Sequence, residues 1–173
     1  METLAIGFSK NKLLRERENS FLSLINENQE KLYRIAYSYV KNKDDALDIV
    51  QETVYKAYLS YHKVKKIQYE NTWLTKILIN TSIDFIKKNK KVVTTDIKLI
   101  ENTSHFNNDN LQQKVEIKEA IDKLNEKQKT VIILRFYEDM KLEEIAKILE
   151  SPVSTIKSIL YRALNEMNIN LKE

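Results

Sequence analysis

Three groups of side chains in this sequence have the types and spacing to do chemistry. Within DDALDIVQETVYKAY, Asp45, Asp48 and Glu52 fall within about 60° of one another at helical spacing, with Gln51 beside them. Three carboxylates on one helix face repel one another mildly. They describe either a solvated stripe or a docking face for a basic partner. An acid–base catalytic pair is a third use, but no nucleophile, metal-binding histidine or oxyanion donor lies nearby in the sequence. In TWLTKILINTSIDFIKKNKK, Trp73, Lys76, Asn80, Asp84 and Lys87 gather on one edge, and Lys87, Lys88, Lys90 and Lys91 form a basic run. Upstream stand Lys63, Lys65, Lys66 and Tyr69, in the polar stretch HKVKKIQYEN. Cations beside aromatic rings suit a single-stranded nucleic acid, the first for the backbone and the second for unstacked bases. Equally, Trp73 is a core residue and the lysines a helix end, where cations favour the macrodipole. The third group is Ser154, Thr155, Lys157, Ser158, Tyr161, Arg162 and Asn165, following Pro152. Such side chains bond to phosphates and base edges, and the arginine fork suits guanine.

Composition removes most competing chemistry. The 173 residues include one glycine (Gly7), one proline (Pro152), no cysteine and two histidines, His62 and His105. Without cysteine there is no disulfide, thiolate zinc site or thiol nucleophile. Two histidines cannot make a three-histidine metal site, and one glycine cannot make a glycine-rich phosphate loop. These exclusions remove thiol, thiolate-metal, three-histidine and phosphate-loop chemistry. No apolar run approaches the ~18 residues that span a bilayer, and the N-terminus lacks the layout of a signal peptide. A cytoplasmic protein with no membrane insertion is expected.

The same scarcity of turn-makers fixes the class of elements that must carry these groups. Hairpin-rich folds need Gly, Asn-Gly or Pro at set places, so the chain is expected to be all-α. Apolar spacing divides it into a helical block over 19–91 and another over 111–173, with an uninformative tail over 1–18. In the first block Phe21, Ile25, Leu32, Ile35, Tyr39 and Val40 keep helical spacing, KNKDD breaks it, and the third helix takes Thr72 as N-cap. Residues 92–110, VVTTDIKLIENTSHFNNDN, have no sustained period and read as a flexible linker.

In the second block KLEEIAKILE and VSTIKSILYRALNEM are separated by Ser151-Pro152. Val153, Ile156, Ile159, Leu160, Ala163, Leu164 and Met167 share an arc of about 140°, and the polar group above takes the other half. Ala146 on the first helix permits a close crossing. The pair has the form of a helix-turn-helix, whose second helix enters the major groove; an ordinary helical hairpin with a solvated face has the same pattern. At the turn, the position usually held by glycine is Glu150, where a left-handed conformation costs ~1–2 kcal/mol.

Taken in order, KLYRIAYSYVKNKDDALDIVQETVYKAY, TWLTKILINTSIDFIKK and LNEKQKTVIILRFYEDMKLEEIAKILESPVSTIKSILYRALNEM resemble a bacterial RNA polymerase sigma factor of the extracytoplasmic-function (ECF) branch. The resemblance spans roughly Phe21 to Leu171. It implies that Asp45, Ala46, Asp48, Gln51 and Glu52 stand in the family's D-A-x-D-x-x-Q-E pattern, which binds the clamp helices of the largest polymerase subunit. It implies that Trp73, Leu74, Ile77, Asn80 and Asp84 stand in the pattern of the helix that captures and melts the −10 promoter element. Residues 63–71 would then be the base-capturing loop, with Asn80, Lys87 and Lys88 on the non-template strand. Pro152, Thr155, Ile156, Lys157 and Ser158 match the helix that reads the −35 element as duplex. Ile159 stands where the family often has arginine and Glu150 where it often has glycine. The partners implied are core polymerase (largest and second-largest subunits), promoter DNA and an anti-sigma protein, often membrane-bound. A free-standing helix-turn-helix regulator is the other reading, and it would need a dimerisation element.

Overall fold

In the computed structural model the described residues are 2–64, 69–93 and 120–167, with side chains from 15 to 64, 69 to 89 and 120 to 167. All regular elements among them are helical. The chain divides into two compact units, Met1–Thr81 and Ser82–Glu173.

The first unit begins with α1 (Glu2–Val40), which is followed by α2 (Lys43–Ser60) after only two residues. Lys41 enters the left-handed region (φ 58°), and its N–H donates to the Tyr37 carbonyl at 2.8 Å. Glycine usually ends a helix this way. Asn42 then caps α2, its Oδ1 accepting from the Asp44 and Asp45 N–H groups at 2.8 and 3.2 Å. Both acidic residues sit at the positive end of the α2 dipole. The KN pair that interrupts the apolar period is therefore a complete stop-and-start signal.

A 3-10 turn, Tyr61–Lys63, leaves α2, and α3 spans Glu70–Val93. The core of the first unit is Leu32, Ile35 and Ala36 of α1, Ala46, Ile49 and Ala57 of α2, and Leu74, Leu78 and Ile79 of α3. Ala46 and Ala57, both wholly buried, carry little side-chain bulk between the helix backbones. Thr53, buried among them, donates its hydroxyl to the Ile49 carbonyl at 2.7 Å, so no polar atom is stranded.

Three expectations change. Residues 2–18, read as a tail, are the opening turns of α1. Thr72 is not the N-cap of the third helix; α3 starts at Glu70 and Thr72 lies in its first turn. The third helix also runs to Val93, two residues into the expected linker, of which 94–110 lie outside the described residues.

In the second unit a helical turn ends at Leu124, and Asn125 caps α4 (Glu126–Ile132). The cap is reciprocal. Asn125 Oδ1 accepts from the Gln128 N–H at 3.0 Å, and Gln128 Oε1 accepts from the Asn125 N–H at 3.0 Å. The helix widens into a π-turn over Ile133–Tyr137, burying Ile133 and Leu134 while leaving Phe136 and Tyr137 half-exposed. Then come α5 (Leu142–Ile148) and α6 (Val153–Glu166). The core joins Val131, Ile132, Ile133 and Leu134 to Ile145 and Ile148 of α5 and to Ile156, Leu160, Ala163 and Leu164 of α6.

The α5–α6 turn keeps the geometry that glycine normally serves. Glu150 has φ 48°, its N–H donates to the Lys147 carbonyl (3.4 Å), and the Ser151 N–H reaches the Ala146 carbonyl (3.0 Å). This pair of bonds is a Schellman motif, which satisfies carbonyls that the end of α5 would leave open. Pro152 stands at the cap of α6, one residue before the first helical position, and its carbonyl accepts from Thr155 and Ile156.

Candidate partner and nucleic-acid interfaces

On α2 the buried residues Ala46, Ile49, Thr53 and Ala57 turn Asp48, Gln51 and Glu52 outward, where all three are exposed. Asp45, in the first turn, is half-buried. Glu52 pairs with Lys56 at 3.4 Å, one turn on, in an exposed ion pair of the kind worth at most about 1 kcal/mol. So weak a pair leaves the Glu52 carboxylate available to a stronger cationic partner. Lys56 Nζ also donates to Thr81 Oγ1 at 3.4 Å, tying α2 to α3. Sequence reasoning missed that this face is also apolar: Leu47, Tyr55, Tyr58 and Leu59 are each about half-exposed. The signal was present, because these four fall outside the arc that the buried residues occupy.

At the other end of the first unit, Trp73 does not stand free as a stacking platform. It is half-buried, and its ring lies 6.0 Å from that of Tyr61, which in turn lies 5.1 Å from Phe21. Trp73 is thus packed partly into this aromatic cluster and partly exposed. The Tyr61 hydroxyl donates to Glu70 Oε1 at 2.8 Å. Burial, then the Glu70 hydrogen bond and charge, push the Tyr61 hydroxyl up to about 12, against the opposing pull of Arg17. Arg17 donates to the Tyr61 carbonyl at 3.3 Å and holds its guanidinium 6.0 Å from the ring centroid.

A groove of about 440 Å³ opens beside this cluster, lined by Arg17, Ser20, Glu27, Tyr61, Val64 and Asn71 among others. Asn71 is held there by Asn28, whose Nδ2 donates to Asn71 Oδ1 at 2.9 Å and to the Leu24 carbonyl at 2.8 Å. Nothing in the sequence pointed to Arg17, because a contact across 44 residues leaves no periodic trace. Lys63, Tyr69, Asn80, Lys87 and Lys88 are exposed, and Lys76 is half-buried. Lys65 and Lys66 lie outside the described residues. Within the expected 63–71 loop, Glu70 and Asn71 belong to α3.

On α6 the division into faces is complete. Ser154, Thr155, Lys157, Ser158, Tyr161 and Arg162 are all exposed, while Ile156, Leu160, Ala163 and Leu164 are buried. Ile159 is half-buried at the boundary. The Ser158 hydroxyl donates to the Ser154 carbonyl at 3.0 Å. No helix among the described residues is long and apolar enough to cross a membrane.

Two family descriptions match this arrangement: "Sigma-70 region 2" over residues 24–92 and "Sigma-70, region 4" over residues 114–167. RNA polymerase sigma factor SigV of Bacillus subtilis (strain 168) is 45% identical over 150 residues, covering 87% of this chain and 90% of that protein. The ECF RNA polymerase sigma-E factor of Haemophilus influenzae is 29% identical over 160 residues, covering 84% of each. Among solved structures, the sigma factor RpoE in complex with the anti-sigma factor NepR from Bartonella quintana superimposes with a TM-score of 0.64. It is 27% identical and covers 86% of this chain and 94% of that one. The chain belongs to the sigma-70 family, in its extracytoplasmic-function branch. It is a promoter-specific transcription initiation factor and not an enzyme.

Proposed function

We propose that the three surfaces divide the work of initiation. The α2 face, with Asp45, Asp48, Gln51 and Glu52 beside Leu47 and Tyr55, docks on a basic, partly apolar surface of core polymerase. The α6 face, through Ser154, Thr155, Lys157, Ser158, Tyr161 and Arg162, reads the −35 element as duplex. The α3 edge, with Lys63, Lys65, Lys66, Tyr69, Trp73, Lys76, Asn80, Lys87 and Lys88, holds the −10 strand once it is opened. Trp73 contributes from within the Tyr61 cluster, and the groove beside Arg17 and Asn71 is of a size to receive an unstacked base.

The observation that carries this reading is the sorting of faces. On α2 Asp48, Gln51 and Glu52 are exposed and Asp45 is half-buried, on α6 all six polar residues are exposed, and on both helices the core-facing residues are buried. A net charge of only +4 implies weak free-standing affinity for DNA, since phosphate neutralisation dominates non-specific binding. Promoter binding then depends on polymerase. The free-standing regulator reading is set aside by the match to region 2 as well as region 4. The protein acts in the cytoplasm, where its polymerase is. An anti-sigma protein is a further partner, supported by the RpoE–NepR complex. The test is co-purification with core polymerase, followed by transcription from a fork-junction promoter; failure of both overturns the reading.

A further inference from the structure

We infer that Gln128 and Glu166 form a lock that sets the rotation of the recognition helix, and so its base preference at the −35 element. The inference rests on the reading of α6 as the −35 helix. Gln128 is 5% exposed, and both polar atoms of its side-chain amide are engaged, the oxygen within its own helix cap and the nitrogen across to α6. Its Oε1 accepts from the Asn125 N–H at the cap of α4, and its Nε2 donates to Glu166 Oε1 at 2.8 Å, 38 residues away. Glu166 is the last residue of α6, a helix with no basic residue in its last turn. A carboxylate there faces the negative end of the helix dipole. Its charge is therefore placed for the bond to Gln128 rather than for the helix that carries it.

The rest of the α6 seat is apolar: Ile156, Leu160, Ala163 and Leu164. Apolar burial is non-directional and tolerates small rotations. A charge-assisted hydrogen bond has a preferred direction as well as a length. Glu166 lies about 18 Å along the axis from Ser154, at a 1.5 Å rise per residue, so it does not share the recognition end of the helix. The helix is stiff over that span, and a rotation at Glu166 appears unchanged at Ser154, Lys157 and Arg162. Gln128 and Glu166 are thus positioning residues, acting on DNA only through α6.

The test uses the full chain with core polymerase on templates bearing a randomised duplex hexamer at −35 upstream of a premelted start region. Sequencing the transcripts returns the base preference directly. The variants are Glu166→Ala, Gln128→Met and the exchanged pair Q128E/E166Q, in which the amide donates from position 166 and the carboxylate also accepts from Asn125. Glu166 is exposed, so its truncation leaves the core intact. Both single variants are expected to narrow the gap between best and average hexamers by about tenfold, the scale of one hydrogen bond to a charged group. Transcription averaged over all hexamers should hold, and the exchanged pair should restore the preference. An unchanged preference in Glu166→Ala overturns the inference, as does a uniform loss across hexamers or a failure of the exchanged pair to restore. Arg162→Ala is the separate control: if it leaves the preference unchanged, the −35 reading of α6 fails and the lock fails with it.

Discussion

Asp48 and Glu52 are exposed, and the Glu52–Lys56 pair is a weak surface one, so their replacement should act mainly on partners and little on folding. Charge reversal, Asp48→Lys or Glu52→Lys, is expected to weaken core-polymerase binding by tenfold or more, on the order of 1.4 kcal/mol. Thermal stability should stay within about 0.5 kcal/mol, as for surface substitutions generally; titration of labelled polymerase alongside a melting curve checks both. Glu150 is the reverse case. Held at φ 48°, it sits where glycine carries no Cβ penalty, and Glu150→Gly should stabilise the second unit by about 1 kcal/mol. Chemical denaturation would show it as a rise in midpoint at constant slope. For Tyr61, a hydroxyl raised above the unfolded value near 10 favours the neutral form in the fold. Its contribution is complete below about pH 10 and is lost as pH rises through about 12. Tyr61→Phe should remove that alkaline step, followed by tyrosine absorbance, while weakening the tie to Glu70.

At the scale of elements, the helices are set by their ends as much as by their faces. The two-residue connection Lys41-Asn42 supplies both a left-handed stop and an N-cap. Asn42→Ala should cost about 1 kcal/mol, the usual value of a lost cap, and the loss should appear in global unfolding of the first unit. Here the apolar period located α2, α6 and the part of α1 from Phe21 onward, because burial on one side of a helix is written every three or four residues. Reading Thr72 as N-cap placed the start of α3 three residues late. Thr72 is a good capping residue by type, but it is already inside the first turn of α3, whose start at Glu70 places that carboxylate to meet Tyr61. The opening turns of α1 were illegible for a related reason. They precede the apolar stripe that begins at Phe21, and the tertiary bond from Arg17 to Tyr61 is not local.

For the whole molecule, two units with separate cores imply that DNA-reading defects should separate. Arg162→Ala is expected to cost about 1–3 kcal/mol of −35 discrimination with opening of the −10 region retained. Asn80→Ala should abolish open-complex formation while duplex −35 binding survives, as permanganate footprinting would report. A loss of both functions in either variant would mean that the faces are wrongly assigned. On the proposed assignment, two phosphate-binding surfaces are offset in charge by the acidic α2 face, in keeping with a net charge of only +4.

By itself the sequence determined the helical class, the exposed faces of α2 and α6 and the sigma-factor resemblance, since each is written in local spacing and composition. Only the tertiary structure decided that the Trp73 ring packs against that of Tyr61, that Arg17 and Asn71 line one groove, and that Gln128 reaches Glu166. Those contacts join residues 12 to 54 positions apart, and no period of 3.6 records which distant helices will meet. The missing glycine at position 150 was visible from the start. Its outcome was not: the Schellman bonds run within the end of α5, but a non-glycine residue resists the left-handed conformation they need, and burial of α5 and α6 in their shared core offsets that cost.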